Sequence, residues 1–543
     1  MKKNKIRNLI LMTLLASLVL IAGCQKTSTT TTTAAAAASR PNKISLYTER
    51  EYRTLNQLTG SDQNIFEVLG NISEGLYRTD QNNQPIPGLA SSYDMSADGL
   101  TYTFHLRSGL KWSNGDPITA KDFVYSLLKL AGNADNSYAF FVTDYVVNAM
   151  EYQQGKVTAD QVGLKAIDDL TFQATLKAPT AYFILLTTMP MYFPLSEKFV
   201  EAKGDSYANT AADILYCGPF KITDFDLASG VNLVKNPDYW DAANVKLDAV
   251  AFRVIKDSSA ALNAYEAGQI DRVNLDAQNI PAYKNSPELT TYSDFRNTYL
   301  QFNTTNPDMN VNIRKALSFA VDRDLLCATI LSNGSVAAGG VVSQGVSGDG
   351  QKTFRQLNGN LSAFDAAKAK QYWDAGVAQL GGKAPQLTML CMDDSATRDQ
   401  ATFIQDQFRK NLGIEVTISP STQSARNAVM QSDPTYDLAI SAWGADYDDA
   451  MTYLDLWTAG TGYRGNYNNA DYNAMITAAK TEPNAAKRLT IMLNAEKKLV
   501  QDDMVVTGVF DRGFTSLNKT YVKGLVYHPV GQPLDLKWAY VQQ

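Results

Sequence analysis

Between Thr101 and Leu128 the hydrophobic period of this chain switches from two residues to 3.6 across a single turn, which calls for strands and helices in one fold. Tyr102, Phe104 and Leu106 alternate with Thr103, His105 and Arg107, the pattern of a strand with one buried face. Ser113-Asn114-Gly115-Asp116-Pro117 then forces a turn. Thr119, with Asp122 three positions on, reads as a reciprocal cap opening a helix that carries Phe123, Leu127 and Leu128. A second helix is expected where Ile313, Ala316, Leu317, Ala320 and Val321 keep helical spacing, with Arg314, Lys315 and Asp322 facing away. Turn-rich breaks fall at 81–87, at 303–310 and across the glycine-rich stretch 333–350, whose length marks it as functional or mobile.

A chain of 543 residues exceeds one core and predicts three or four domains, or fewer with large insertions. Hydrophobic residues make up 45%, enough to build such cores and to exclude disorder for most of the length. Lys and Arg number 49 against 55 Asp and Glu, and this mild acidity argues against a nucleic-acid partner. Only His105 and His528 are present, so mechanisms built on histidine pairs have almost no material. Phosphate loops, nucleophile elbows and zinc-binding helices are missing as motifs. Enzyme readings start at a disadvantage.

Lys2, Lys3, Lys5 and Arg7 precede an apolar run from Leu9 to Ile21, the order of an export signal, here 1–23. The run is too short to span a bilayer as a helix. It ends in Ala22-Gly23-Cys24, which resembles the lipobox of bacterial lipoproteins, so Cys24 is the expected lipid anchor. Thr27 to Ser39 is wholly Thr, Ser and Ala and cannot offset the entropy of ordering, giving a flexible tether over 24–42. Cys217, Cys327 and Cys391 are left, an odd number that does not make a disulfide framework.

Asp446-Tyr447-Asp448-Asp449 lacks the alternating ligands of a calcium loop. Around it gather Trp443, Tyr447, Tyr453, Trp457, Tyr463 and Tyr467, which suit either core packing or the wall of a cleft. Asp446 follows the apolar stretch Leu438-Ala439-Ile440 and Trp443, so it is expected where a strand runs out into a loop. A carboxylate among aromatic walls is costly unless it has a partner.

Motifs spread along the chain resemble the bacterial extracellular solute-binding proteins of family 5, in particular the oligopeptide-binding lipoproteins of peptide ABC importers. They are Glu74-Gly75-Leu76-Tyr77, the block from Pro87-Gly88-Leu89-Ala90 through Lys111-Trp112-Ser113-Asn114-Gly115-Asp116-Pro117 to Ala120-Lys121-Asp122-Phe123, and Gly218-Pro219-Phe220. Lys235-Asn236-Pro237 with Tyr239-Trp240, Gly268-Gln269-Ile270-Asp271, and Arg314-Lys315-Ala316-Leu317 with Ala320-Val321-Asp322-Arg323 follow in order. The resemblance implies a two-lobed α/β fold like that of periplasmic binding proteins, with an additional third domain and hinged lobes closing on a cleft. Domain I would comprise 43–77, 215–303 and 525–543, domain II 78–214, and domain III 304–524.

Trp443-Gly444-Ala445-Asp446-Tyr447 resembles the family's W-x-x-D-Y element, whose Asp accepts the α-amino group of a peptide. The same resemblance implies that Ala442 and Gly444 pair through their backbone with the peptide main chain. It puts the facing wall at Thr59-Gly60-Ser61, although Thr54-Leu55-Asn56 departs from the usual approach to it. Met504-Val505-Val506 stands where a proline-rich turn is common. What is implied is a monomeric receptor without cofactor or metal, whose partners are a peptide, the transmembrane subunits of an ABC permease and, through lipid, the membrane. Rival readings are a receptor for another solute, such as a dipeptide, heme, a sugar or a peptide pheromone, and a cell-surface peptide-processing enzyme.

Overall fold

The computed structural model describes residues 40–60, 62–432, 436–458 and 464–543. The export signal, Cys24, Ser61 and Tyr463 lie outside the described residues, as does the tether up to residue 39. Among the described residues no helix is long and apolar enough to cross a membrane.

Three sheets of four or more strands organise the described residues from Pro41 onward. In the first, Lys43–Thr48 runs parallel to Ala249–Val254, and Gly230–Lys235 and Phe220–Asp226 complete four strands. The second is antiparallel, ordered Ala90–Met95, Thr101–Leu106, Thr171–Thr175 and Leu164–Asp168. Tyr102, Phe104 and Leu106 are buried, as the alternation requires. Thr119 and Asp122 form a reciprocal capping box on the helix Ala120–Gly132, whose Phe123 ring meets Phe172 of this sheet at 5.8 Å.

The third sheet has seven strands: β1 Arg272–Asn274, β2 Leu289–Phe302, β3 Val336–Ala337, β4 Leu387–Met392, β5 Val416–Ser421, β6 Leu438–Gly444 and β7 Val506–Asn518. Its order is β1-β7-β2-β6-β4-β5, with β3 also on β7. β2 and β7 pair antiparallel over most of their length, and the register shifts between Ser293 and Asn297. Phe295 sits inside this bulge at φ 49°, and the extra residues bend β2 where Asp294 and Arg296 emerge.

The helix Val311–Phe319 buries Ile313, Ala316 and Leu317, and Ala320 and Val321 follow it into the core. Arg314 does not face away. It is 8% exposed and donates from Nε to Met504 O at 2.9 Å and from Nη2 to Asp503 O at 2.7 Å. Met504 turns the chain at φ 44°, without proline, and the guanidinium satisfies the carbonyls that this turn leaves over. Asp322 caps the next helix, Arg323–Leu326.

The 333–350 stretch is pinned by three carboxylates. Glu496 accepts from Val341 N and Val342 N at 3.0 Å, Asp511 from Gln344 N at 3.0 Å, and Asp448 from Ser347 N at 2.8 Å. Cys217, Cys327 and Cys391 form no disulfide, and the first and last are buried.

Candidate functional site

A cleft of about 1050 Å³ opens at the edge of the seven-stranded sheet. One wall carries Ala442, Trp443, Gly444, Ala445 and Asp446. Facing elements supply Tyr47 to Arg50, the start of the helix Gln63–Ile72, Tyr138, Met189 and Met191, and the segment His528 to Gly531.

β6 ends two residues before Asp446, as the sequence pattern suggests. On one side β6 pairs with β2, Trp443 opposite Asn297 and Ser441 opposite Tyr299. Asn303 N–H donates to Asp437 O and Ala445 N–H to Phe295 O, so the odd-numbered peptide groups of β6 aim at β2. The even-numbered ones aim the other way. There β4 reaches only Leu438 and Ala439, and Ile440 O is taken by Arg426 Nη1 at 2.7 Å. Among the described residues no strand pairs with the even-numbered groups of Ala442 and Gly444, which face the cleft as an open strand edge. An edge of this kind is a template for adding a strand.

The acids of the 446–449 run have different fates. Asp448 holds Ser347 through Nα and Oγ, and Asp449 forms a two-bond pair with Arg488 at 2.6 and 2.9 Å. Asp446, partly exposed to the cleft, has no Lys, Arg or His of the described residues within ion-pair reach. Its side chain is bonded by Thr452 Oγ1 at 3.5 Å. Burial pushes its carboxyl up to about 6, against a small opposing effect of that hydroxyl. The charged form is therefore short of a counter-charge, which an incoming cation would supply.

Three members of the aromatic cluster are core. Tyr447 is buried and stacks on Tyr182 with centroids 4.4 Å apart and 7° between planes, so it lines no part of the cleft. Tyr453 and Trp457 are also buried, and among the described members Trp443 is the one that faces the cavity. Thr59 and Gly60 are not in the wall either. Gly60 N–H closes a turn onto Asn56 O at 2.8 Å, and a Cβ there would meet Ile65 at 3.1 Å, which leaves the wall to Asp62 and to Gln63, Asn64, Phe66 and Glu67 of the helix that follows. Tyr138, 5.4 Å edge-on from Phe66, stands close enough to Asp446 to feel its charge. Tyr138 and Glu67 carry no sequence signal, since each belongs to a different segment brought to the cleft by tertiary packing.

The family model described as "Bacterial extracellular solute-binding proteins, family 5 Middle" matches residues 84–465. The chain belongs to this family. The dipeptide-binding protein of Lactococcus lactis subsp. cremoris (strain MG1363) is 30% identical over 100% of both chains. Among solved structures, Listeria monocytogenes OppA bound to peptide is 33% identical with a TM-score of 0.73, covering 93% of this chain and 100% of that one. The periplasmic murein tripeptide binding protein MppA in its unliganded open form, at 24% identity, shares the fold with a TM-score of 0.79 over 93% of this chain and 98% of that one. Family 5 members are binding proteins, and the mixed α/β sheets described above are their architecture.

Proposed function

We propose that this family 5 protein is a non-catalytic receptor that captures short peptides in the cleft and delivers them to an ABC-type permease. One observation carries the reading: a desolvated Asp446 without a cation stands beside an open strand edge. A peptide offers both complements, an ammonium at its N-terminus and a main chain that pairs irrespective of side chains. The charge-assisted bond between ammonium and carboxylate strengthens as the cleft closes and water leaves. Peptide-binding relatives and a peptide-bound structural neighbour support the same conclusion.

In this reading Asp446 and Trp443 hold the amine end, and Ala442 and Gly444 pair with the backbone. The lobes follow the three-domain division given above, with β2 and β7 as the crossing strands about which they close. The receptor works as a monomer on the extracytoplasmic face of the membrane, held by lipid on Cys24. Mass spectrometry of ligand released from the purified protein tests the proposal directly. Short peptides with free N-termini support it. Turnover of a mixed peptide pool would identify a processing enzyme, and a bound sugar or heme a receptor for another solute.

A further inference from the structure

Asp446 stands in a stretch, 445–449, that belongs to no strand or helix. Side chains fix its course. Asp448 is tied to Ser347, and Asp449 to Arg488, partners that both follow β2 in the chain. Tyr447, next to Asp446, is held from elsewhere. Its ring lies flat on that of Tyr182, with centroids 4.4 Å apart and 7° between planes.

Tyr182 belongs to the layer of the second sheet. It follows the strand Thr171–Thr175 and opens the short helix Phe183–Leu186. That turn is itself anchored to the sheet. Phe183 is fully buried with its ring centre 4.8 Å from that of Tyr102, and Tyr102 Oη donates to Thr180 O at 3.2 Å. Tyr145 meets the Tyr182 ring edge-on at 5.9 Å, and its oxygen accepts from the Tyr182 hydroxyl at 3.4 Å. Arg488 lies 5.5 Å from the Tyr182 ring centre, so the ion pair with Asp449 and the ring stack share one side chain. Tyr182 and Tyr447 are each 6% exposed and line no part of the cleft.

Asp446 and Tyr447 share one rigid peptide plane, so a ring pinned on one side of the chain sets the direction of the carboxylate on the other. A close-packed interior passes displacement on and does not absorb it. We propose that Tyr182 is a positioning residue of the amine site: through its stack on Tyr447, the layer of the second sheet sets where the Asp446 carboxylate stands. The inference rests on the peptide-receptor reading. Tyr182 touches no ligand and acts only through Tyr447. Its effect falls on the ammonium bond, because a charge-assisted hydrogen bond weakens steeply with distance and angle while main-chain pairing along β6 does not involve this loop.

The test is calorimetric titration of the full chain with one pentapeptide carrying a free amine and with its N-acetylated version. Tyr182→Leu keeps an apolar side chain but cannot stack, whereas Tyr182→Phe keeps the ring. In Tyr182→Leu the preference for the free amine should shrink by about fivefold or more, within the range of coupling between residues in contact, with affinity for the acetylated peptide unchanged. Tyr182→Phe should restore the wild-type preference. A folded Tyr182→Leu that keeps the wild-type preference overturns the inference. So does an equal loss for both peptides, which would mark a structural role alone. A second measurement needs no variant to fold. In wild type the free-amine peptide at saturation should slow amide exchange at Leu185 and Leu186, which bond to Tyr182 O outside the cleft, more than the acetylated peptide does. Equal protection by both, or none, overturns the inference. All of these outcomes leave the receptor reading standing, whereas failure of wild type to bind either peptide overturns that reading and this inference with it.

Discussion

Thr452 Oγ1 accepts the Asp446 amide N–H at 3.2 Å and the Trp443 indole N–H at 3.4 Å, and donates to Asp446 Oδ2 at 3.5 Å. One hydroxyl thus uses its full capacity, two acceptances and one donation, to orient both cleft residues. Thr452→Val keeps the shape and removes all three bonds. Each neutral bond is worth about 1 kcal/mol, so peptide affinity should fall roughly fivefold to thirtyfold, with recovery in Thr452→Ser. An affinity unchanged by the valine would show that Thr452 does not position the site.

Asp446→Asn should fold normally and lose peptides with a free N-terminus. Leaving an ammonium buried without its anion costs about 2–5 kcal/mol, roughly 30-fold to several thousand-fold in Kd. Wild type should reject N-acetylated peptides to a similar degree. Equal thermal shifts with free and acetylated ligands in wild type would contradict this.

Binding should weaken in acid. With the Asp446 carboxyl raised to about 6 by burial, the ionised form that an ammonium needs is lost below that pH. Affinity is therefore expected to fall about tenfold between pH 7 and pH 5, and Asp446→Asn should flatten the profile. Stability of the empty protein has the opposite sign. A carboxyl whose folded pKa exceeds its unfolded value takes up a proton on folding, so its contribution is present below about pH 4 and lost as pH rises through about 6. Asp511, also raised to about 6 by burial, and Glu67, raised to about 7, act in the same direction. Calorimetric titrations and denaturant unfolding across pH 4 to 8 measure both.

Glu496 is fully buried, pairs with Arg355, and accepts Asn358 Nδ2 at 2.7 Å besides the two loop amides. Glu496→Ala would strand a guanidinium and two N–H groups in the interior. The expected loss is about 3–5 kcal/mol in urea unfolding, together with faster amide exchange at Val341 and Val342. Exchange at wild-type rates would mean that the loop is held by something else.

Cys24→Ala should yield a mature chain without lipid mass. A mass that still includes the lipid would rule this cysteine out as the anchor.

The strand-turn-helix block was legible because it is local: a change of period within about thirty residues needs no distant partner. Asp446 at the end of a strand was legible for the same reason. The placement of Arg314 was not, because helical spacing assigns a face but cannot see the Met504 turn 190 residues away that uses the guanidinium. Nor could the aromatic run be divided. Tyr447 became core because Tyr182 arrives to stack on it, and Trp443 became cleft because strand β4 stops short of it.

By itself the sequence determined period, caps, turns and the order of motifs, all properties of neighbours along the chain. Tertiary structure alone decided which charges are left over. Asp448 and Asp449 stand beside Asp446 in the chain, yet packing gives them internal partners, Ser347 and Arg488, and leaves Asp446 facing the cleft. Whether a buried charge is spent or waiting depends on which groups the fold brings within a few ångströms of it.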